Sequence, residues 1–267
     1  MSLEVPIFHL ASFSRSGETL LQRCLSAHPK IEVVHQILKP DRDEDLSLFN
    51  YLIDREETTI PIDHPLLAHR QISEGSVLLL KNAVWCHSFP RNGFILVRNP
   101  FSISVSAFRD NPNESQAERQ KQQQFRWAKK IDPRMTGLMG EDPTLTGFLA
   151  LYSRKMLADY KDGLPFVRYE DFIGDPETFL KKMVLHLGLA WDESVLRSHE
   201  NYKEGEIGHG GIKLWQPIHQ GSLDKYKGRL TPQKKAHIYG LTHEALEKFG
   251  YEWNGHDLAL KNVSQML

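Results

Sequence analysis

Apolar residues fall along this chain in two recurring patterns. Short, nearly unbroken runs occur at Val5-Pro6-Ile7-Phe8-His9-Leu10, Ile31-Glu32-Val33-Val34, Val77-Leu78-Leu79-Leu80, Gly93-Phe94-Ile95-Leu96-Val97 and Pro165-Phe166-Val167-Arg168-Tyr169. Runs of this kind, β-branched and without polar alternation, predict strands buried on both faces, and so a parallel sheet covered by helices. Between them, apolar residues three and four apart predict the helices. Asp175-Pro176 reads as cap and first-turn proline ahead of Phe179, Leu180, Met183, Val184 and Leu187, with Gly188 as terminator. Thr231-Pro232 repeats the device ahead of Ile238, Leu241, Ala245, Leu246 and Phe249. A third helix is predicted from Thr144 through Leu145, Phe148, Leu149, Tyr152 and Met156. These stripes read as core.

Two stretches break the pattern. From Asp110 to Lys130 the chain is polar and glutamine-rich and reads as a solvated helix or a lid, and from Gly205 to Gly221 it is rich in Gly and His, an irregular loop. The predicted fold class is α/β, a central parallel sheet flanked by helices. No Gly/Ser/Pro-rich linker divides the chain, so residues 1–267 read as one domain.

Charge narrows the partners. With 33 Lys and Arg against 34 Asp and Glu, the net charge is -1, so no global positive field recruits nucleic acid or a membrane surface. Any anion this protein binds is held locally. Cys24 and Cys86 provide neither a disulfide framework nor metal-ligand spacing, which suits a reducing compartment and leaves no metal expected. The residues after Met1 lack the basic and apolar regions of a signal peptide, and no segment approaches the ~20 apolar residues of a membrane span. The expected location is cytoplasmic.

The strongest local signal is Ser12-Phe13-Ser14-Arg15-Ser16-Gly17-Glu18-Thr19, between the first strand and a helix whose apolar positions are Leu20, Leu21, Cys24 and Leu25. A small-residue turn there aims backbone N–H groups and the positive end of the helix dipole at one point, which favours phosphate or sulfate. Taken alone, the segment also reads as an ordinary strand-turn-helix corner with a surface arginine. Against the pattern G-x-x-x-x-G-K-[ST], Ser12 takes the first glycine's place and Gly17 and Thr19 match. Glu18 stands where the lysine belongs, and the cation has moved to Arg15.

The strand ends add to this. Arg15 follows the first run, His35 the second, Lys81 the third and Arg98 the fourth, and open parallel sheets bind ligands beyond the carboxyl ends of their strands. Arg98-Asn99-Pro100 reads as strand end, cap and first helical residue, so a second helix N-terminus points at an anion beside Arg98, with Ser106 two turns further along.

These residues resemble a known family. Arg15-Ser16-Gly17-Glu18-Thr19-Leu20-Leu21, followed by Leu25-Ser26-Ala27-His28-Pro29, resembles the 5′-phosphosulfate loop of the sulfotransferases that use 3′-phosphoadenylyl sulfate (PAPS), in the branch with arginine in the loop that includes many bacterial members. Val97-Arg98-Asn99-Pro100 through Ser106 is similar to the family's 3′-phosphate motif. Arg168-Tyr169-Glu170-Asp171-Phe172 resembles its tyrosine-glutamate-aspartate strand, and Ser222 through Tyr226-Lys227-Gly228-Arg229 its late basic loop. The matches follow the family's order along nearly the whole chain. Lys39 to Glu74 and Asp110 to Gly140, where members differ by acceptor, match nothing.

The resemblance implies a P-loop-like nucleotide-binding fold and transfer of a sulfuryl group from PAPS to a hydroxyl or amine on a small-molecule or carrier-held acceptor. It implies donor contacts from Arg15, Ser16, Gly17, Glu18, Thr19, Leu20, Arg98, Ser106, Tyr169, Lys227, Gly228 and Arg229, with Tyr169 beside the adenine and Lys81 near the sulfuryl group. Transfer also needs a base within reach of the acceptor proton. The branch carries a glutamate after the second strand, where this chain has His35-Gln36; Gln36 takes no proton and His35 does, with Glu32 and His87 as alternates. Glu18 departs from the threonine or serine of relatives, and Ala83 from the histidine of the lysine-loop branch. Two other readings stand beside this one: a P-loop small-molecule kinase, which lacks here its lysine, and a non-catalytic nucleotide-binding module. Phe125, Trp127, Trp215, His209 and His219 are the aromatic candidates for an acceptor pocket.

Overall fold

The computed structural model of the chain describes residues 3–34, 43–108, 114–137 and 145–267. The chain forms β1 (Glu4–Ser12), α1 (Glu18–Leu25), β2 (Ile31–Val34), α2 (Asp43–Leu52), β3 (Thr59–Pro61), β4 (Val77–Asn82) and β5 (Gly93–Val97). Helices α3 (Pro100–Ala107), α4 (Glu114–Ile131) and α5 (Leu145–Lys161) lead to β6 (Phe166–Arg168), α6 (Tyr169–Gly174) and α7 (Pro176–His186). The chain continues to α8 (Pro232–Lys248) and the short pair β7 (Tyr251–Trp253) and β8 (Leu258–Leu260).

Five parallel strands make the central sheet in the order β2-β4-β1-β5-β6, and β3 adds antiparallel to the start of β1. All five predicted runs contribute strands to this sheet, but the last ends at Arg168: Tyr169-Glu170-Asp171, expected as strand, opens α6 instead, with Arg168 as its N-cap. β1 is central, in register with β4 from Ile7 opposite Leu78 to Ala11 opposite Asn82, and with β5 from His9 opposite Gly93 to Ser12 opposite Leu96. The chain leaves β1 to build one side through β2 and β4, then crosses to β5 on the other. The carboxyl end of β1 is therefore where the order reverses and where a crevice opens.

Alternation of side chains explains why the runs are apolar throughout. Phe94 and Leu96 pack with Leu21, Cys24, Leu180 and Val184 on one face, while Ile95 and Val97 pack with Phe148, Tyr152, Ile238 and Leu246 on the other. Each such side chain, fully buried, contributes about 1.5–3 kcal/mol. The predicted caps hold: Asp175 accepts from the Thr178 N–H at 3.2 Å ahead of α7, and Thr231 from the Lys234 N–H at 3.2 Å ahead of α8. Thr144 lies outside the described residues, and the third predicted helix runs over Leu145–Lys161.

The glutamine-rich stretch is a helix with one buried side. Gln124, Ala128 and Ile131 are buried, and Trp127 packs edge-on to Phe13 at 5.9 Å, so α4 is fastened to the loop after β1. From Gly205 to Gly221 the backbone is irregular as expected, with a short 3-10 turn at His209–Gly211 and a bridge between Ile207 and Lys213.

Beneath the sheet lies a buried ionic group. Asp159 accepts from Arg91 at 3.1 Å and pairs with Lys155 one turn away on α5, and both Lys155 and Asp159 are wholly buried. Burial, with Arg91 second, pushes the neighbouring His9 and His87 down to about 3, so both rings are neutral near pH 7. Removing one partner of such a group leaves the others charged and unpaired. Asp159→Ala is expected to lower the unfolding free energy in urea by about 3–5 kcal/mol. Asp162→Ala, at the more exposed end of the same group, should cost clearly less; equal losses would contradict the assignment.

Candidate active site

The loop after β1 is shaped by two residues in the left-handed region. Phe13 anchors it in an aromatic cluster with Phe148 at 5.0 Å and Tyr152 at 5.6 Å, and Ser16 N–H closes a turn onto the Phe13 carbonyl at 3.1 Å. Arg15 then takes φ 75°, a conformation that costs a side-chain-bearing residue of the order of 1 kcal/mol and is tolerated where it serves a site. Its Nε donates to Ser106 Oγ at 2.9 Å, which ties the loop to the last turn of α3. Gly17, at φ 100°, is required twice, since a Cβ there would lie 2.4 Å from the Tyr169 ring.

Arg98 leaves the end of β5 where Asn99 caps α3 by accepting from the Phe101 N–H at 2.8 Å, with Pro100 in the first turn. Its two terminal nitrogens donate to the Arg15 carbonyl and the Ser222 carbonyl, each at 3.2 Å, and the guanidinium lies 4.1 Å from the centre of the Tyr169 ring. The Tyr169 hydroxyl meets Ser222 Oγ at 2.8 Å. Behind this group the half-buried Glu170 accepts from the Asn99 N–H at 3.0 Å and the Tyr251 hydroxyl at 2.7 Å. Burial, the main cause, pushes its carboxyl above the usual carboxylate range. Glu170 is thus a strut behind Arg98.

Lys81 is next to last in β4, its ammonium nearly buried 3.7 Å from Glu18 Oε1. The other Glu18 oxygen accepts from the Gly17 N–H at 3.0 Å. A carboxylate of the chain itself therefore lies against a loop amide and the nearby cation, in the position that the loop's dipoles favour for an anion.

These residues open on a cleft of about 1120 Å³. Arg15, Gly17, Glu18, Thr19, Leu20, Lys81, Arg98, Ser106 and Tyr169 line it together, while Ser16 is buried beneath the loop. The late segment differs from expectation. Lys227 is exposed and paired with Asp224 at 2.8 Å, and Lys227, Gly228 and Arg229 are not among the lining residues; Ser222 and Lys225 reach the cleft instead. Trp127, His209 and His219 line it, whereas Phe125 and Trp215 do not. Arg23 was not singled out by sequence: buried on α1, it donates to the Leu214 carbonyl at 2.9 Å and the Gln216 carbonyl at 2.6 Å, pinning the irregular segment that forms one wall.

Of the base candidates, His35 lies outside the described residues. Glu32 is held by Arg70. His87 contacts Asn82 Nδ2 at 3.2 Å, is pushed to about 3 by burial, and does not line the cleft. Among the described residues no group of His, Cys, Asp or Glu is arranged to hold a metal ion, and no helix is long and apolar enough to cross a membrane.

No protein-family model matches the sequence, and no curated protein sequence does. Solved structures do match. The sulfotransferase domain from the Synechococcus PCC 7002 olefin synthase is 18% identical with a TM-score of 0.53, over 94% of this chain and 96% of that one. Mouse sulfotransferase SULT7A1 complexed with PAP is 14% identical with a TM-score of 0.51, over 90% and 84%. The sulfotransferase domain from the curacin biosynthetic pathway is 16% identical with a TM-score of 0.50, over 90% and 98%. The chain has the P-loop-like α/β fold of the sulfotransferases.

Gly17→Ala should lower stability in chemical denaturation by about 1–3 kcal/mol. Gly163→Ala, at φ 77° with open space around it, reports the backbone strain alone. Gly17→Ala should exceed it because the Tyr169 ring must leave Arg98 and Ser222; equal losses would count against the close approach.

Proposed function

We propose that this protein is a sulfotransferase that takes the sulfuryl group of PAPS to a hydroxyl or amine acceptor. The observation that carries the reading is the junction of the Arg15 loop with Arg98 and Tyr169 at the carboxyl edge of a sulfotransferase fold. Fit to an anionic nucleotide is supported by polar groups left over: Ser16 Oγ and Arg98 Nε are buried without a hydrogen-bond partner. When bound, the donor supplies a sulfuryl group whose bond to the 5′-phosphate oxygen breaks as one to the acceptor oxygen or nitrogen forms.

The chain's own residues have these parts. Arg15 and the amides of the loop hold the phosphosulfate end, and Arg98 with Ser106 receives the 3′-phosphate, assisted by the N-terminus of α3. Lys81 stabilises charge on the leaving oxygen. The acceptor proton passes to His35, the residue that follows β2; Val34 is in register with Leu80, one residue before Lys81. Lys227, Gly228 and Arg229 flank Lys225 as the late basic segment. One finding favours the second reading, a non-catalytic nucleotide-binding module: the Glu18 carboxylate occupies the loop amide that an incoming phosphate needs.

Thermal shift separates the readings from a kinase. Adenosine 3′,5′-bisphosphate (PAP) should stabilise the protein strongly, whereas stabilisation by ATP and magnesium with none by PAP would overturn the proposal. Arg98→Ala should weaken PAP binding by about 10–100-fold and AMP binding, which lacks the 3′-phosphate, by clearly less, since charge-assisted hydrogen bonds are worth ~1.5–3 kcal/mol. His35→Ala should cut turnover of labelled PAPS by at least ~100-fold at unchanged PAP affinity. Glu18→Gln removes a like charge at contact distance and should tighten PAP binding by ~10-fold or more. PAP binding without transfer to any hydroxyl or amine, in the native chain and in this variant, would establish the module instead.

A further inference from the structure

The wall of the cleft that the donor leaves unused has a charge of its own. Arg15, Lys81 and Arg98 have parts in the proposal above, and Arg23 is turned to backbone carbonyls. Lys225 belongs to the late basic segment and Lys213 lies 5.8 Å from the Trp215 ring on the irregular segment, which leaves Arg126 and Lys130 as the cations of the α4 wall, one turn apart and both lining the cleft. Residues so spaced share one helix face, and like charges there disfavour the helix. From Arg119 to Ile131 the helix has no acidic residue to offset them, and the next carboxylate, Asp132, is bound by Arg134 and Arg154. Asp54 acts on Lys130 electrostatically, short of an ion pair.

The surroundings are those of a binding site. Lys130 Nζ lies 3.3 Å from the centre of the Trp85 ring, so its ammonium is held against an aromatic face shortly beyond Lys81. Trp127 and Phe148 continue the apolar wall. Gln124, on the same helix and lining the same cleft, is buried with an amide oxygen that has no hydrogen-bond partner. Glu18, already engaged, is the sole carboxylate among the described lining residues.

We infer that the acceptor is amphipathic: a hydroxyl- or amine-bearing molecule with an apolar or aromatic body and an anionic group, carboxylate or phosphate, received by Arg126 and Lys130. The body packs on Trp85 and Trp127, and the anion held at α4 turns the nucleophile toward Lys81. The nucleophile rests on the sulfuryl-transfer reading; the anion rests on the charge of the wall.

The test is calorimetric titration of the full chain, saturated with PAP, with matched pairs: 3-(4-hydroxyphenyl)propionate against its methyl ester, 6-hydroxyhexanoate against its methyl ester, and glucose 6-phosphate against glucose. In at least one pair the anionic member should bind ~10-fold or more tightly than the neutral one. The carboxylate and phosphate arms tell which anion is received. The gap should close in the Arg126→Glu/Lys130→Glu double variant, whose unchanged PAP affinity shows that it is folded, and should persist in Arg126→Lys. Neutral members binding as tightly as their partners, no member binding at all, or a gap that survives the charge reversal would each overturn the inference. Failure of PAP to bind counts against the sulfuryl-transfer reading alone, because the same pairs titrated without nucleotide still report the charge preference.

Discussion

Everything at the carboxyl edge of the sheet depends on one guanidinium. Arg98 donates to backbone carbonyls of two segments far apart in the chain, Arg15 and Ser222, while its plane covers the ring of Tyr169. A buried arginine with carbonyl partners is costly to place, since its charge stays uncompensated by any carboxylate in contact. Two features make it tolerable: the aromatic face of Tyr169 under it, and the electrostatic attraction of the half-buried Glu170. The same side chain that organises the loop after β1 is therefore the one poised for an anion.

The Glu18 carboxylate follows from the same constraint. Positive groups gathered at one edge repel each other in the absence of ligand, and a carboxylate bonded to the Gly17 amide and near Lys81 lowers that repulsion from within. Its cost falls on the ligand, which must displace it. A neutral hydroxyl at this position would leave the Gly17 amide and Lys81 without the carboxylate that now offsets their positive charge.

The parts of this architecture legible in sequence are those with local causes. Both faces of the sheet are covered, so its strands read as unbroken apolar runs, and Asp175-Pro176 and Thr231-Pro232 announce helices because capping is a matter of adjacent residues. Gly17, Arg15 and Arg98 were legible because a strand end followed by a helix start is a local pattern with a known use. What was illegible depends on distant partners. Glu170 looks like any strand-end acid until Asn99 and Tyr251 close on it, and Arg23 like any helix-surface arginine until the irregular segment folds over it. That Lys225 rather than Lys227 faces the cleft is illegible for the same reason, because the direction of a side chain in a turn-rich segment is set by tertiary contacts such as the Tyr226 hydroxyl on Asp257 at 2.5 Å. Glutamines dominate α4, so its sequence reads as a solvated helix or a lid, yet Gln124, Ala128 and Ile131 suffice to bury one side.

The near-zero net charge is a sum over unlike surfaces. A chain with a net charge of -1 lines the cleft at the end of β1 with cations and, among the described residues, a single carboxylate, so its remaining described acids lie elsewhere. Clefts with low-dielectric walls focus the field of the charges that line them, and surface charges beyond a Debye length of about 8–10 Å are screened. Local placement therefore outweighs the total in deciding what approaches the site. A uniformly basic protein would attract polyanions over its whole surface, whereas cations gathered at the cleft where β1 ends act on an anion there without a net positive charge on the chain.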